Sequence, residues 1–235
     1  MTGGTRGIGR AIAERLLEEG ARVAICGTKP ETVDPAVTAL SQNLSQAGDV
    51  FGIVTDVSKR DEVVKMVAAV RQRFGTIDIL INCAGIGIFA SVTDLEPAAW
   101  ERMLALNLSA VYYCCHEVLP IFVTCGGGDV INISSLAGSN AFAGGAGYNA
   151  SKFGLNGLSE AMMQDYRNNG VRVSYIAPGS VDTEFSGRPA VGDANDHGGR
   201  IAPADIAEVV VTLLSMPRRT TVSRVEIRPS RPPRK

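Results

Sequence analysis

The sequence predicts an α/β fold in three layers, αβα, with a doubly wound parallel sheet covered by helices on both faces. Three observations lead there. Strand-like runs alternate with stretches of helical periodicity along the whole chain. Most of the strand-like runs are continuously apolar rather than strictly alternating, as expected of strands buried on both sides. A glycine-rich turn, "TGGTRGIG", leads straight into the first helical stretch. With 235 residues, 45% hydrophobic and 20% charged, the chain has enough apolar material for one large core. No composition shift marks a boundary, so a single domain over residues 1–235 is expected.

The elements follow in order. Gly7 to Glu19 has helical spacing and stops at Gly20, a suitable C-terminal glycine. "ARVAICG" is a buried strand, and a helix is expected at Asp34-Pro35, with Asp34 as cap and Pro35 in the first helical position. "VFGIVTDV" is a strand, Lys59 to Phe74 a helix, and "IDILIN" a strand. One long helix is expected from Pro97 to Phe122, then the strand "DVINISS". A helix from Gly147 to Arg167, the strand "VRVSYIAPG", the helix "PADIAEVVVTLLS" and the strand "VSRVEIRP" complete the series. Glu184 to Arg200 is rich in Gly, Asp, Asn and Pro and reads as a lid loop at about 184–200. The basic, proline-rich tail at about 228–235 reads as a solvated end.

Bulk properties exclude several classes of function. A formal net charge of -1 provides no field toward nucleic acid or anionic membrane, and 6% aromatic residues argue against a base-stacking surface. Cys26, Cys83, Cys114, Cys115 and Cys125 form no C-x-x-C pair, and His116 and His197 are far apart, so no metal site is expected. The odd cysteine count and the lack of a secretion signal fit a reducing, cytoplasmic setting. No apolar run reaches transmembrane length.

The opening turn places glycines at Gly3, Gly7 and Gly9, with Thr5, Arg6 and Ile8 between them. Such spacing lets a pyrophosphate approach the backbone, while the helix that follows turns its free N–H groups and positive dipole end toward it. The next strand ends in Gly27-Thr28-Lys29, without the carboxylate that would hold the ribose of NAD. With Arg6, two cations suit a 2′-phosphate, so NADP(H) is favoured over NAD(H); the competing reading makes both cations solvated surface charges. "YNASK" sets Tyr148 and Lys152 four apart, hence on one helical face. An ammonium there would lower the phenol's pKa and fit it for proton exchange with a carbonyl or alcohol oxygen. Ser135 ends a strand on the side where ligands bind in such sheets and would donate a hydrogen bond to that oxygen; Ser134 is the competing assignment.

In combination these residues resemble the short-chain dehydrogenase/reductase family over nearly the whole chain. "TGGTRGIG", "TDVS", "NCAG", "LNLS", "ISS", "YNASK" and "PGSVDTEF" occur in the family's order. The resemblance implies a Rossmann-type fold and an oxidoreductase that moves a hydride between nicotinamide and a carbonyl or secondary alcohol. It implies that Tyr148 is the general acid or base, that Lys152 tunes it and holds the nicotinamide ribose, that Ser135 orients the carbonyl oxygen, and that Asn107 holds a relay water. It implies cofactor contacts from Asp56 and Val57 at the adenine, from Asn82, Ala84 and Gly85, and from Pro178, Gly179, Val181 and Thr183 at the nicotinamide. Ile86, Leu136, Phe142, Ser180 and Phe185 become pocket walls, suiting a small or medium apolar carbonyl compound. A homodimer or homotetramer is the family expectation, the dimer through the two long helices.

Two departures accompany the resemblance. Relatives carry a strand before the glycine turn, in the middle of the sheet, so the first strand is expected to be missing here. That keeps alive a second function, a non-catalytic or impaired dinucleotide-binding protein. The ending "VEIRPSRPPRK" also differs from the glycine-rich ending of 3-oxoacyl-carrier-protein reductases, which weakens that alternative without removing it.

Overall fold

The computed structural model describes residues 1–42, 49–187, 189–191 and 197–231. Parts of two expected segments, the lid (188 and 192–196) and the tail (232–235), lie outside the described residues. Strands β1 (Val23–Gly27), β2 (Val50–Val54), β3 (Ile79–Asn82), β4 (Gly128–Ile133), β5 (Val171–Pro178) and β6 (Arg224–Ile227) pair in parallel. Helices α1 (Gly7–Glu18), α2 (Pro30–Ser41), α3 (Arg60–Phe74), α4 (Pro97–Leu104), α5 (Ala110–Thr124), α6 (Ala146–Tyr166) and α7 (Pro203–Ser215) connect them. The result is an α/β, Rossmann-like fold.

Strand alternation builds the two core layers. Leu80, Val130 and Val173 turn toward α3, α5 and α6, in a layer centred on Val63, Cys114 and Phe122. Their neighbours Ile81 and Ile131, with Ile176, turn to the opposite face against α1 and α7, where Ile12, Ile206 and Val210 are fully buried. All residues of β4 and β5 are buried, including the polar Asp129, Asn132, Arg172 and Ser174 among the apolar ones.

The sheet comes in two parts. β3-β4-β5-β6 form one and β1-β2 the other. Thr2 lies between them and bridges Cys26 on one side and Asn82 on the other. Its N–H donates to the Ile81 carbonyl at 2.9 Å, and its hydroxyl oxygen accepts from the Cys83 and Ala84 N–H groups, both at 3.1 Å. The Cys26 N–H donates to the Met1 carbonyl at 3.3 Å, and the Met1 amine donates to the Ala24 carbonyl at 2.6 Å. Desolvation pushes that buried amine below its ordinary pKa. A cavity of about 210 Å³ adjoins this join, lined by Ala24, Ile25, Val67, Leu80 and Val118 among others. On the line where the sequence expectation misses a first strand, the described chain therefore places Met1 and Thr2.

Two helices differ from expectation. α2 begins at Pro30, with Lys29 as its cap residue and Pro35 inside it, so Asp34 is not the cap. Pro30 takes the first helical position instead, where a missing N–H costs nothing. The long helix expected from Pro97 to Phe122 is broken by a π-helical segment, Ala105–Ser109, between α4 and α5. One wider turn changes the hydrophobic spacing too little to be read from periodicity. Taken together, Pro97–Thr124 is long and apolar enough to cross a membrane by length and composition, contrary to the sequence reading; Met103, Cys114 and Phe122 within it are fully buried in the core.

A buried ion pair fastens the far side. Arg172 on β5 donates to Asp129 on β4 at 2.6 Å and to the carbonyls of Met216 (2.7 Å) and Leu214 (3.1 Å) at the end of α7. Arg218 holds the second Asp129 oxygen at 2.6 Å.

Candidate active site

The site forms at the carboxyl ends of β1, β3, β4 and β5, where open parallel sheets bind ligands. α6 supplies its polar face. Tyr148, Asn149, Ser151, Lys152 and Asn156 are all buried there despite being polar, each through the helical repeat. Asn149 ties the helix to the loop after β4 by donating to the Ala137 carbonyl at 2.7 Å.

Tyr148 is 8% exposed. Burial raises its pKa above the ordinary phenol value, and a hydrogen bond with Ser135 pulls it back down. Lys152 donates to the Ile133 carbonyl at 2.9 Å, and its ammonium lies 5.9 Å from the Tyr148 ring centroid. Desolvation lowers the Lys152 pKa to about 8. The sequence reading has the ammonium pulling the phenol down; in the structure burial dominates and the net direction for Tyr148 is up.

Ser135 and Ser134 separate clearly. The Ser135 oxygen accepts from the Ala137 N–H at 3.1 Å, capping the short 3₁₀ turn Leu136–Gly138, and its hydroxyl is the one beside Tyr148. The Ser134 hydroxyl donates to Asn156 at 2.5 Å inside the core.

Asn107 sits in the π segment, fully buried. Its amide accepts from the Ile86 N–H and donates to the Ile86 carbonyl, both at 2.9 Å, and donates to Ser151 at 3.0 Å. The side chain expected to hold a relay water is thus engaged in fixing the Gly85–Ile86 backbone. A Cβ on Gly85 would stand 3.2 Å from the Asn107 oxygen and 3.9 Å from the Lys152 nitrogen, so these three groups share one small space. Asn82 donates to Asn132 at 2.8 Å, while its own oxygen is buried with no hydrogen-bond partner among the described residues.

The opening loop folds against this group. Gly3 has φ of +67°, and a Cβ there would lie 2.8 Å from the Ala84 nitrogen. A Cβ on Gly9 would collide with the Gly3 carbonyl. Glycine is therefore required twice, once by the backbone angle and once by contact. Gly7 opens α1 and faces the Thr183 methyl, Thr5 packs on Gly27, and Ile8 joins the core layer below. Arg6 pairs with Glu184 at 3.5 Å, both largely exposed, so the opening loop and the start of the lid meet across the site. Thr28 and Lys29 are exposed at the end of β1.

The remaining expected contacts vary. The Asp56 carboxylate accepts from the Ser58 N–H and hydroxyl. Val57 is 4% exposed and belongs to the core, so its side chain is closed to a ligand. Pro178 ends β5, the Gly179 N–H donates to the Ile227 carbonyl at 2.8 Å, and Val181 bridges Ile201.

Sequence reasoning missed two residues. Asp182 is buried and accepts from the Val191 N–H (2.7 Å), His197 (3.0 Å) and Arg200 (3.4 Å), tying both described ends of the lid. Phe89 lies edge-on to Tyr148, with centroids 5.5 Å apart. Its only sequence signal was a large apolar residue in a polar-bounded loop just after "NCAG". Among the described residues no group of His, Cys, Asp or Glu could hold a metal, and burial pushes Cys83 and Cys115 up to about 12.

A dinucleotide fits these residues: a tight glycine turn feeds a helix N-terminus, and a buried amine and two hydroxyls stand one loop away. The comparisons agree. The profile of the short chain dehydrogenases matches residues 1–190. An uncharacterized oxidoreductase of Staphylococcus saprophyticus is 32% identical over 231 residues, 97% of this chain and 95% of that protein. The alcohol dehydrogenase of the archaeon Thermococcus sibiricus, solved with 5-hydroxy-NADP, superposes with a TM-score of 0.89 at 28% identity over 98% of this chain and 95% of its own. A metagenomic short-chain oxidoreductase solved with NADP gives 0.83 at 34% identity, covering 97% of this chain and 95% of that one. The fold and site thus define an oxidoreductase of the dinucleotide-binding class. The chain belongs to the short-chain dehydrogenase/reductase family.

Proposed function

We propose that the protein is an NADP(H)-dependent reductase, or dehydrogenase in the reverse sense, acting on a carbonyl compound or its secondary alcohol. The observation that carries this reading is the buried Tyr148–Ser135 hydroxyl pair beside the Lys152 ammonium. Gly3, Gly7 and Gly9 with the start of α1 would hold the pyrophosphate, Arg6 and Lys29 the 2′-phosphate, and Lys152 the nicotinamide ribose. When bound there, the cofactor supplies or accepts the hydride.

In reduction, Ser135 donates a hydrogen bond to the carbonyl oxygen and keeps it facing Tyr148. As the carbonyl carbon is reduced, the electron pair of the C=O bond moves to oxygen, which takes the phenolic proton of Tyr148. The phenolate left behind is stabilised by Lys152 and regains its proton from solvent. Burial alone raises the phenol pKa and opposes proton release, so the transfer depends on the Ser135 hydrogen bond and the neighbouring Lys152 to stabilise the phenolate. NADP in the relatives' structures and the absence of a carboxylate among Gly27, Thr28 and Lys29 support NADPH over NADH.

A competing reading, a dinucleotide-binding protein impaired in turnover, is suggested by the break in the sheet between β1-β2 and β3-β6, where Thr2 makes isolated bridges. A carbonyl panel with NADPH separates the two. Turnover that falls by about 10²–10⁴-fold in Tyr148→Phe, with NADPH binding retained, supports catalysis. Turnover that survives the substitution rejects the assigned chemistry. The exposed aromatic faces of Tyr112 on α5 and Phe153 on α6 further support a homodimer or homotetramer, readable by sedimentation.

A further inference from the structure

Three phenyl rings from three separate loops gather near Tyr148: Phe89 and Phe185 meet its ring, and Phe142 meets Phe89. Phe89 follows β3, Phe142 follows β4 and Phe185 follows β5. Ring centroids lie 5.5 Å apart for Phe89–Tyr148, 5.8 Å for Tyr148–Phe185 and 5.7 Å for Phe89–Phe142. The spacings and tilts are those of favourable aromatic pairs. The Tyr148 ring is buried, while Phe89, Phe142 and Phe185 are 42%, 46% and 39% exposed. A parallel bridge between Ala90 and Gly145 fixes two of the loops to each other. These rings form a partly exposed collar beside the Tyr148 ring.

The collar carries no charge. No Asp, Glu, Lys or Arg occurs from Cys83 to Thr93 or from Ser134 to Ser151. Among the described residues of the third loop, Glu184 pairs with Arg6, and Asp182 with His197 and Arg200. Below the collar, Ile86, Ile88 and Leu95 pack apolar side chains beside Tyr148. An anionic substrate would find no cation on the first two loops, at 83–93 and 134–151.

Resting on the carbonyl reductase reading, we infer that the natural substrates are neutral aryl ketones or aryl aldehydes and the matching benzylic alcohols. A ring seated edge-to-face against Phe89 and Phe185 touches the same rings that touch Tyr148. Its carbonyl carbon must then lie next to the ring to reach the Tyr148 hydroxyl. A flat aromatic ring gains quadrupole complementarity there that a saturated ring of the same size does not.

The test compares propiophenone, its cyclohexyl counterpart and its ring-carboxylated derivative, with NADPH and the full chain. The expected result is a kcat/KM about ten-fold higher for propiophenone than for the cyclohexyl ketone, with the carboxylate poorest. In Phe89→Leu and in Phe142→Leu, each checked for an unchanged circular-dichroism melt, the aryl-to-cyclohexyl ratio falls toward one. Equal or better turnover of the cyclohexyl ketone overturns the inference while leaving the reductase reading intact. If no ketone turns over, that reading fails, and calorimetric binding of propiophenone in the presence of NADP+ decides the inference by itself. Binding weakened in Phe89→Leu sustains the collar as an aryl site; no binding overturns it.

Discussion

Between β3 and β6 each neighbouring pair of strands is hydrogen-bonded along at least four residues, and the Arg172–Asp129–Arg218 cluster ties that part to the end of α7. Between β1 and β3 the bridging runs through a single residue, Thr2, beside a cavity of about 210 Å³. Ser135, Tyr148 and Lys152, the residues proposed to handle the proton, sit on the continuous part. The glycine loop hangs from the join. Chemistry and cofactor positioning are therefore supported unequally, and each can be disturbed with little effect on the other.

The largest expected effect comes from the continuous part. Asp129→Ala leaves Arg172 buried without its carboxylate and should cost about 3–5 kcal/mol in urea unfolding. A loss below about 1 kcal/mol would show that the carbonyls of Leu214 and Met216 suffice for the guanidinium.

Thr2→Val keeps the shape at the join but removes the acceptor shared by the Cys83 and Ala84 N–H groups. The expected cost is about 1–3 kcal/mol. Because the same N–H groups border Gly3, NADPH affinity should fall as well, whereas Asp129→Ala should leave it nearly unchanged in protein that remains folded. Equal effects of the two substitutions on NADPH affinity would erase the distinction between the two parts.

Lys152 offers a test by pH. Its pKa is about 8 in the folded protein and higher when the chain unfolds. Between those values the unfolded chain binds a proton at this lysine that the native one does not, so the Lys152 contribution to stability should rise with pH from about 8 up to the ordinary lysine value. Lys152→Met should flatten that rise, measured by unfolding at several pH values. An unchanged slope would mean the ammonium is not desolvated as its burial indicates.

Arg6→Ala is the mildest. Arg6 is exposed and, among the described residues, pairs with the exposed Glu184, so stability should change by less than about 0.5 kcal/mol. Its effect should be on cofactor choice, with NADPH affinity falling several-fold and NADH affinity holding.

What the sequence made legible follows the same division. β4 and β5 were readable because burial on both faces leaves them rich in apolar and β-branched residues, and Tyr148 and Lys152 because helical spacing puts them on one face. The choice between Ser134 and Ser135 was not readable, since adjacent strand-end residues point to opposite sides and only packing against Asn156 decides. Phe89 was missed because its importance lies in three loops meeting, which no local pattern records. The π segment and the role of Asn107 toward Ile86 depend on one wider helical turn. The Pro30 start of α2 was readable in principle, and the nearby Asp34-Pro35 masked it.

The account stands most directly on whether a loop anchored through Thr2 still forms a working dinucleotide site. Thermal unfolding of the chain with saturating NADPH, and separately with NADH, measures this. A ligand at about 100 times its Kd adds about 2.7 kcal/mol to the native state. The account predicts a clear rise in midpoint with NADPH and a smaller one with NADH. No shift with either nucleotide would contradict it.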